Sequence, residues 1–202
     1  MITSRSEFDS EMRKIDELVD RNATLPEQVF RPKASAFYVI DFDQLWSEEF
    51  FSDTQRLTVK AGDTVFTFAV LNPDPDSYYY AAFGKFPFLR FTNRDAADSY
   101  VTALHDDPGG SPADAIAYNS DVIVIYPRSQ RWVIYGDRNL EIGIVAAIDD
   151  EMATAICATS QSLKFFTPAE AVRELLPPVY RGIVPAEVRK SLIENYSSAA
   201  VG

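Results

Sequence analysis

The chain has 202 residues, of which 47% are hydrophobic and 24% charged, a composition that is typical of globular proteins and excludes a disordered chain. Its 30 acidic and 19 basic residues give a formal net charge of −11, which argues against nucleic acid and anionic membranes as partners because both are negatively charged. The length fits a single domain over residues 1–202. From the charge we expect this domain to bind another protein and not nucleic acid.

Three further features of the sequence bear on the location of the protein and on the chemistry of its cysteine. No apolar run approaches the roughly 20 residues that a membrane span needs. The stretch Met1–Asp9 turns acidic at once, unlike a secretory signal, so we predict a soluble cytoplasmic protein. Cys157 is the single cysteine, in a run of small residues, which excludes an intrachain disulfide and favours a buried, inert thiol.

The first part of the chain alternates between helical and strand patterns. Apolar residues recur at three- and four-residue intervals within 6–20, which predicts an amphipathic helix. Residues 36–40 have the β-branched and aromatic content of a buried strand. The spacing of apolar residues in 43–51 favours a short helix.

The middle of the chain is dominated by turn signals. Residues 57–60 and 64–70 alternate around Gly62, which predicts a β-hairpin. Two prolines in 72–77 predict a loop. The apolar stripe in 93–104 then predicts another helix.

The last third contains the clearest β pattern of the chain. Three apolar strands joined by short turns over 121–148 predict a β-meander, and the last of them is apolar on both faces, which indicates a central position covered by helices. Thr167 and Glu170 form a capping-box pattern at the start of a helix, and Pro185 begins a final helix. The predicted fold class is α+β, with a mainly antiparallel sheet flanked by at least four helices.

Candidate catalytic and metal-binding patterns are weak. His105 is the only histidine, so neither a multi-histidine metal site nor a well-supported catalytic triad can be assembled. Asp74, Asp76 and Ser77 alternate like calcium ligands, but the glycine and glutamate that an EF-hand loop requires are missing. We predict no catalytic residue, no metal ligand and no cofactor.

The aromatic run that begins at Tyr78 is the main candidate for a binding surface. Tyrosine is enriched at protein interfaces, and Tyr78, Tyr79 and Tyr80 cannot all face one core. We predict that these tyrosines, with Asp74 and Asp76 before them, contact a partner.

The segment from Tyr126 to Ile144 resembles a hairpin found in small bacterial proteins: a Trp-containing strand, a Gly-acid-Arg turn and a third apolar strand. It is similar to the immunity proteins of polymorphic-toxin systems, including the SUKH group, and the match covers residues 121–149. The resemblance implies an α+β fold that binds and neutralises a toxin, often a nuclease. On this basis Trp132, Gly136 and Asp137 are the residues of this chain that match the hairpin of the family. We add Trp132 and Asp137 to the residues that are predicted to contact a partner.

Three functions stay open from the sequence. The first is a non-catalytic, acidic protein-binding domain, an immunity protein for a basic toxin on the resemblance. The second is a small enzyme or ligand-binding domain whose carboxylates meet in a pocket only after folding. The third is an oligomeric structural or regulatory protein.

Overall fold

In the computed structural model, which describes residues 1–159 and 162–197, a six-stranded antiparallel sheet lies between two layers of helices. The strands are β1 (Ala36–Asp41), β2 (Val65–Asn72), β3 (Phe88–Thr92), β4 (Val122–Pro127), β5 (Trp132–Asp137) and β6 (Ile142–Ala147), in the order β1-β6-β5-β4-β2-β3. The α-helices are α1 (Arg5–Leu18), α2 (Glu48–Lys60), α3 (Ala81–Phe83), α4 (Ala97–His105), α5 (Asp150–Thr159), α6 (Pro168–Glu174), α7 (Leu176–Val179) and α8 (Ala186–Tyr196). The predicted α+β class with a mainly antiparallel sheet is confirmed.

The sheet has a hydrophobic core on each face. Helices α1, α6 and α8 cover one face, where Ile15, Val172 and Leu192 belong to one hydrophobic core with Tyr135 of β5, and α6 and α8 contact β1. Helices α2, α4 and α5 cover the other face. Because alternate residues of a strand point to opposite faces, each central strand contributes to both cores.

The predicted meander is present as β4, β5 and β6, and β6 has the predicted central position. It pairs with β5 on one side and with β1 on the other, and all six of its residues are buried. Strand β1 was predicted by its composition, but its place beside β6 depends on long-range pairing that no local pattern shows.

The predicted hairpin around Gly62 is wrong, because its first strand is the last part of α2. Phe50, Phe51, Thr54 and Leu57 recur at helical spacing and are all buried, so α2 continues to Lys60. The short helix predicted over 43–51 is divided in the structure: a 3₁₀ helix spans Phe42–Trp46, and α2 begins after its N-cap, Ser47. Gly62 has a φ of +83° and ends the helix. Only residues 64–70 correspond to a strand, β2.

The region predicted as a loop at 72–77 is shorter than expected. Strand β2 extends to Asn72, and one turn of π-helix occupies Pro75–Tyr80. The Asp74 carboxylate accepts bonds from the backbone N–H groups of Asp76 and Ser77, which caps this turn. Similarly, α4 begins at Ala97, not at Asn93, after a turn that precedes the helix.

The C-terminal helices follow their predicted signals. Thr167 and Glu170 form the capping box of α6, and Pro185 is the N-cap of α8. Pro177 and Pro178 lie in the first turn of α7, where proline is tolerated because those N–H groups have no helical acceptor. Among the described residues, no helix has the length and apolar character needed to cross a membrane.

Candidate protein-binding surface

One end of the sheet brings together residues that are far apart in the chain. Register pairs Asp41 with Ile142, Ile142 with Asp137, Asp137 with Val122, and Val122 with Asn72. These five residues form a row across five strands that spans about 19 Å, since neighbouring strands lie ~4.8 Å apart. Acidic residues that precede or follow these strands therefore lie together at the same end of the sheet.

This end of the sheet carries acidic side chains at or near the surface, and we call it the acidic end. It comprises the half-buried or exposed Asp41, Asp43, Asp121 and Glu141, which flank the row. The cation of the β5–β6 turn, Arg138, is directed inward and donates bonds of 2.6 Å and 2.9 Å to the carbonyl oxygens of Ser120 and Ala117. Its guanidinium also lies 5.1 Å from the centre of the Phe42 ring.

A groove of about 600 Å³ opens beside the acidic end, between α1 and the ends of β2, β4 and β5. Its lining includes the apolar Leu71 and Val122, Tyr135, and charged side chains of both signs: Asp16, Asp20, Asp74, Arg21 and Arg31. A second groove of about 410 Å³ shares Asp16, Arg21 and Asp74 with the first and also contacts Asp9 and Asp76. The two grooves continue from the acidic end along α1, and Arg13, Arg21 and Arg31 are part of their linings together with the carboxylates.

Asp74 and Asp76, which were predicted to contact a partner, line these grooves. Hydrogen bonds from backbone N–H groups hold the pKa of Asp74 below its ordinary value, and the bond from Ser77 has the largest effect. The hydrogen bond from Arg5 likewise lowers the pKa of Asp76, whose two carboxylate oxygens each lie 2.5 Å from the guanidinium. Both shifts favour the charged form of these carboxyl groups.

The three consecutive tyrosines have three different environments. Tyr80 is exposed, stacks on Phe86 at 4.5 Å and lies 4.7 Å from the Arg5 guanidinium. Tyr78 is half-buried and donates a 2.9 Å bond to Asp114. Tyr79 is fully buried, and burial raises its pKa to about 12. The structure therefore places Tyr78 and Tyr80 at the surface and Tyr79 in the core.

Trp132 and Asp137, proposed from the resemblance, lie in the interior. Trp132 is fully buried in the core that faces α2, and Asp137 is 4% exposed at the end of β5. Burial raises the pKa of Asp137, although its carboxylate accepts a 2.8 Å bond from the Asn139 N–H. Their side chains support the surface and do not form part of it.

His105 and Cys157 do not assemble a reactive site. The His105 ring bonds to the carbonyl oxygen of Val101 at the end of α4. The prediction of a buried thiol is wrong: Cys157 is exposed on α5 and its Sγ lies 3.2 Å from the Tyr38 hydroxyl. Within 1–159 and 162–197, no cluster of three or more metal-ligating side chains is present.

No protein-family model, curated protein or solved structure matches this chain. The geometry of the acidic end and its groove is therefore the main evidence for a function. Sequence reasoning found Asp74 and Asp76 but missed Tyr135, because it sits in an apolar strand and has no local mark of a binding residue. The convergence of Asp41, Asp121 and Glu141 follows from strand register, which the sequence pattern does not specify.

Proposed function

We propose that this protein binds a basic protein partner through the acidic end of its sheet. The row that register creates from Asp41 to Asn72 carries the proposal, because it concentrates acidic groups from four separate chain segments on one surface. Such a concentration attracts a cationic surface and increases the association rate more than it increases affinity.

The partner we favour is a cationic toxin, neutralised by an immunity protein. The similarity of residues 121–149 to immunity proteins supports this choice. A nuclease has a basic surface that binds phosphate groups, and a rigid set of carboxylates presents comparable negative charge. The half-buried Tyr78 and the exposed Tyr80 lie in the same turn as Asp76, Pro75–Tyr80, and add aromatic contact area to this part of the surface.

The grooves could also suggest the pocket of an enzyme, but their carboxyl groups are better suited to ion pairing. A general acid requires a raised pKa, whereas the pKa values of Asp74 and Asp76 are both lowered. Arg5 already pairs with Asp76, so Asp74, which has no ion pair among the described residues, is the charge of the grooves that a basic partner would contact.

The proposal is tested by affinity capture from a lysate of the organism that naturally produces the protein. The test variant is Asp43→Asn/Asp121→Asn/Glu141→Gln, which removes three charges from the acidic end. The matched control is Asp98→Asn/Asp150→Asn/Glu194→Gln, which removes three charges from exposed positions on α4, α5 and α8.

We expect the wild-type and control proteins to retain the same basic protein at low salt, and the acidic-end variant to lose it. The captured protein is then assayed for toxicity with and without the wild-type chain. Equal capture by both triple variants would contradict the proposal, because the acidic end would then contribute nothing specific.

A further inference from the structure

The most exposed large hydrophobic side chain among the described residues belongs to the turn between α7 and α8. Ile183 is 83% exposed, whereas Val59, the next most exposed aliphatic side chain of the described ranges, is 53% exposed. Val184, which follows Ile183, is buried, and Tyr180 packs against the same core as Val184. The turn is therefore anchored in the core at both ends and holds Ile183 away from it.

Backbone hydrogen bonds fix the conformation of this turn. The N–H of Gly182 donates to the carbonyl oxygen of Pro177 at 2.7 Å, and the N–H of Ile183 donates to that of Tyr180 at 3.3 Å. Arg181 and Gly182 both have a positive φ, +52° and +99°. Because a non-glycine residue adopts this conformation at an energetic cost, the contacts around Arg181 hold it there. The turn thus presents Ile183 on a fixed backbone, which has little freedom left to lose on binding.

The turn lies at the acidic end, on the face of the sheet that α6 and α8 cover. The ring of Tyr196, at the end of α8, lies 5.3 Å from that of Phe37, at the start of β1, and α8 contacts β1. Helix α8 spans ~16 Å and β1 ~20 Å, so the start of α8 and the turn before it lie toward Asp41, at the other end of β1. Burial and the negative charge of Asp137 raise the pKa of Tyr180, which agrees with this position.

We infer that Ile183 inserts into an apolar pocket of the basic partner, beside the cationic groups that the acidic end attracts. The inference rests on the proposed function and adds a second feature of the same partner: a pocket, bordered by basic residues, that accepts a branched aliphatic side chain. The turn has one charged side chain, the exposed Arg181, so it contributes apolar contact and no negative charge.

The carboxylates and Ile183 then act on different steps of binding. Attraction between charges extends over about 10 Å at 0.1 M salt and accelerates the encounter of the two proteins. Burial of an aliphatic side chain requires direct contact, so it contributes only after the partner has docked and slows dissociation. An apolar anchor next to complementary charge is a common arrangement at the residues that dominate binding energy.

The test compares Ile183→Ser and the conservative Ile183→Val with the matched control Val59→Ser. Val59 is also exposed, but it lies near the end of α2, four turns or ~18 Å from the N-cap Ser47. The probe is the basic protein that the wild-type chain retains at low salt, and surface plasmon resonance measures both rate constants. We expect Ile183→Ser to dissociate about tenfold faster at a nearly unchanged association rate, and Ile183→Val to dissociate only slightly faster. Val59→Ser should behave as the wild type does.

Urea denaturation provides the folding control, since substitutions of exposed side chains should leave the midpoint nearly unchanged. If Ile183→Ser dissociates no faster than Val59→Ser, the inference is overturned while the proposed function stands. The proposed function fails through a different result, an acidic-end triple variant that captures the partner unchanged. If the wild-type chain retains no basic protein, both are overturned.

Discussion

The Tyr126 hydroxyl donates a 2.6 Å hydrogen bond to Oε2 of Glu11, a carboxylate that is only 3% exposed. Lys14 and Arg90 bond to the other oxygen of Glu11 at 2.7 Å and 2.8 Å. Strand β4 supplies Tyr126, β3 supplies Arg90, and α1 supplies Glu11 itself. This network therefore fixes the helix that forms one wall of the groove to the sheet that forms its floor.

Replacing Glu11 with glutamine should destabilise the protein by about 1–3 kcal/mol, because the buried network loses charge-assisted hydrogen bonds. Urea denaturation measures the change as a lower midpoint at constant slope. Glu7→Gln is the matched control on the same helix, since Glu7 is more exposed and contacts only Arg90 among these partners. Equal losses in the two variants would show that the buried network has no special role.

The same network predicts how stability depends on pH. Burial alone would raise the pKa of Glu11, but hydrogen bonds from Lys14, Tyr126 and Arg90 outweigh it and lower the pKa below its ordinary 4.5. A lowered pKa in the folded state contributes stability above the unfolded value, and this contribution is lost as pH falls through the folded value. We expect the difference in stability between wild type and Glu11→Gln to shrink below about pH 4.5. A difference that stays constant down to lower pH would contradict the assignment.

Gly136 in β5 faces Gly143 in β6, and Gly136 is the more closely surrounded of the two. A Cβ at Gly136 would lie 2.8 Å from Ile123 and 3.0 Å from both Leu45 and Phe42. Gly136→Ala should therefore destabilise the protein by about 1–3 kcal/mol through overpacking. Gly143→Ala meets its nearest atom, in Ile40, at 3.1 Å and should cost less. The reverse ranking in chemical denaturation would show that the packing at Gly136 can relax.

The exposed thiol of Cys157 gives a simple check on the position of α5. A thiol reagent should modify Cys157 in the native protein, without denaturant, to the extent seen after unfolding in urea. Modification breaks only the 3.2 Å contact of the thiol with the Tyr38 hydroxyl, so we expect no more than a small decrease in the thermal unfolding midpoint. A thiol that reacts only after unfolding would indicate that this part of α5 is covered.

Local patterns predicted local structure well and long-range structure poorly. The meander and the Thr167–Glu170 capping box depend on neighbouring residues, so the sequence was sufficient for both. The hairpin around Gly62 was wrong because alternation over four residues also fits the end of a helix, and the buried stripe from Phe50 decides between them. Asp74 and Asp76 were identified by composition, whereas the meeting of Asp41, Asp121 and Glu141 at one end of the sheet depends on strand register, which no local pattern specifies.

The central claim is that the acidic end attracts a basic protein, and the association rate constant tests it most directly. The rate constant for the captured partner is measured by surface plasmon resonance over a range of ionic strength, with wild type and the two triple variants. We expect Asp43→Asn/Asp121→Asn/Glu141→Gln to slow association by about tenfold at low salt and to flatten the salt dependence. The control triple variant, Asp98→Asn/Asp150→Asn/Glu194→Gln, should keep most of both. Equal slowing by the two variants would contradict the claim, since it would show that only net charge matters.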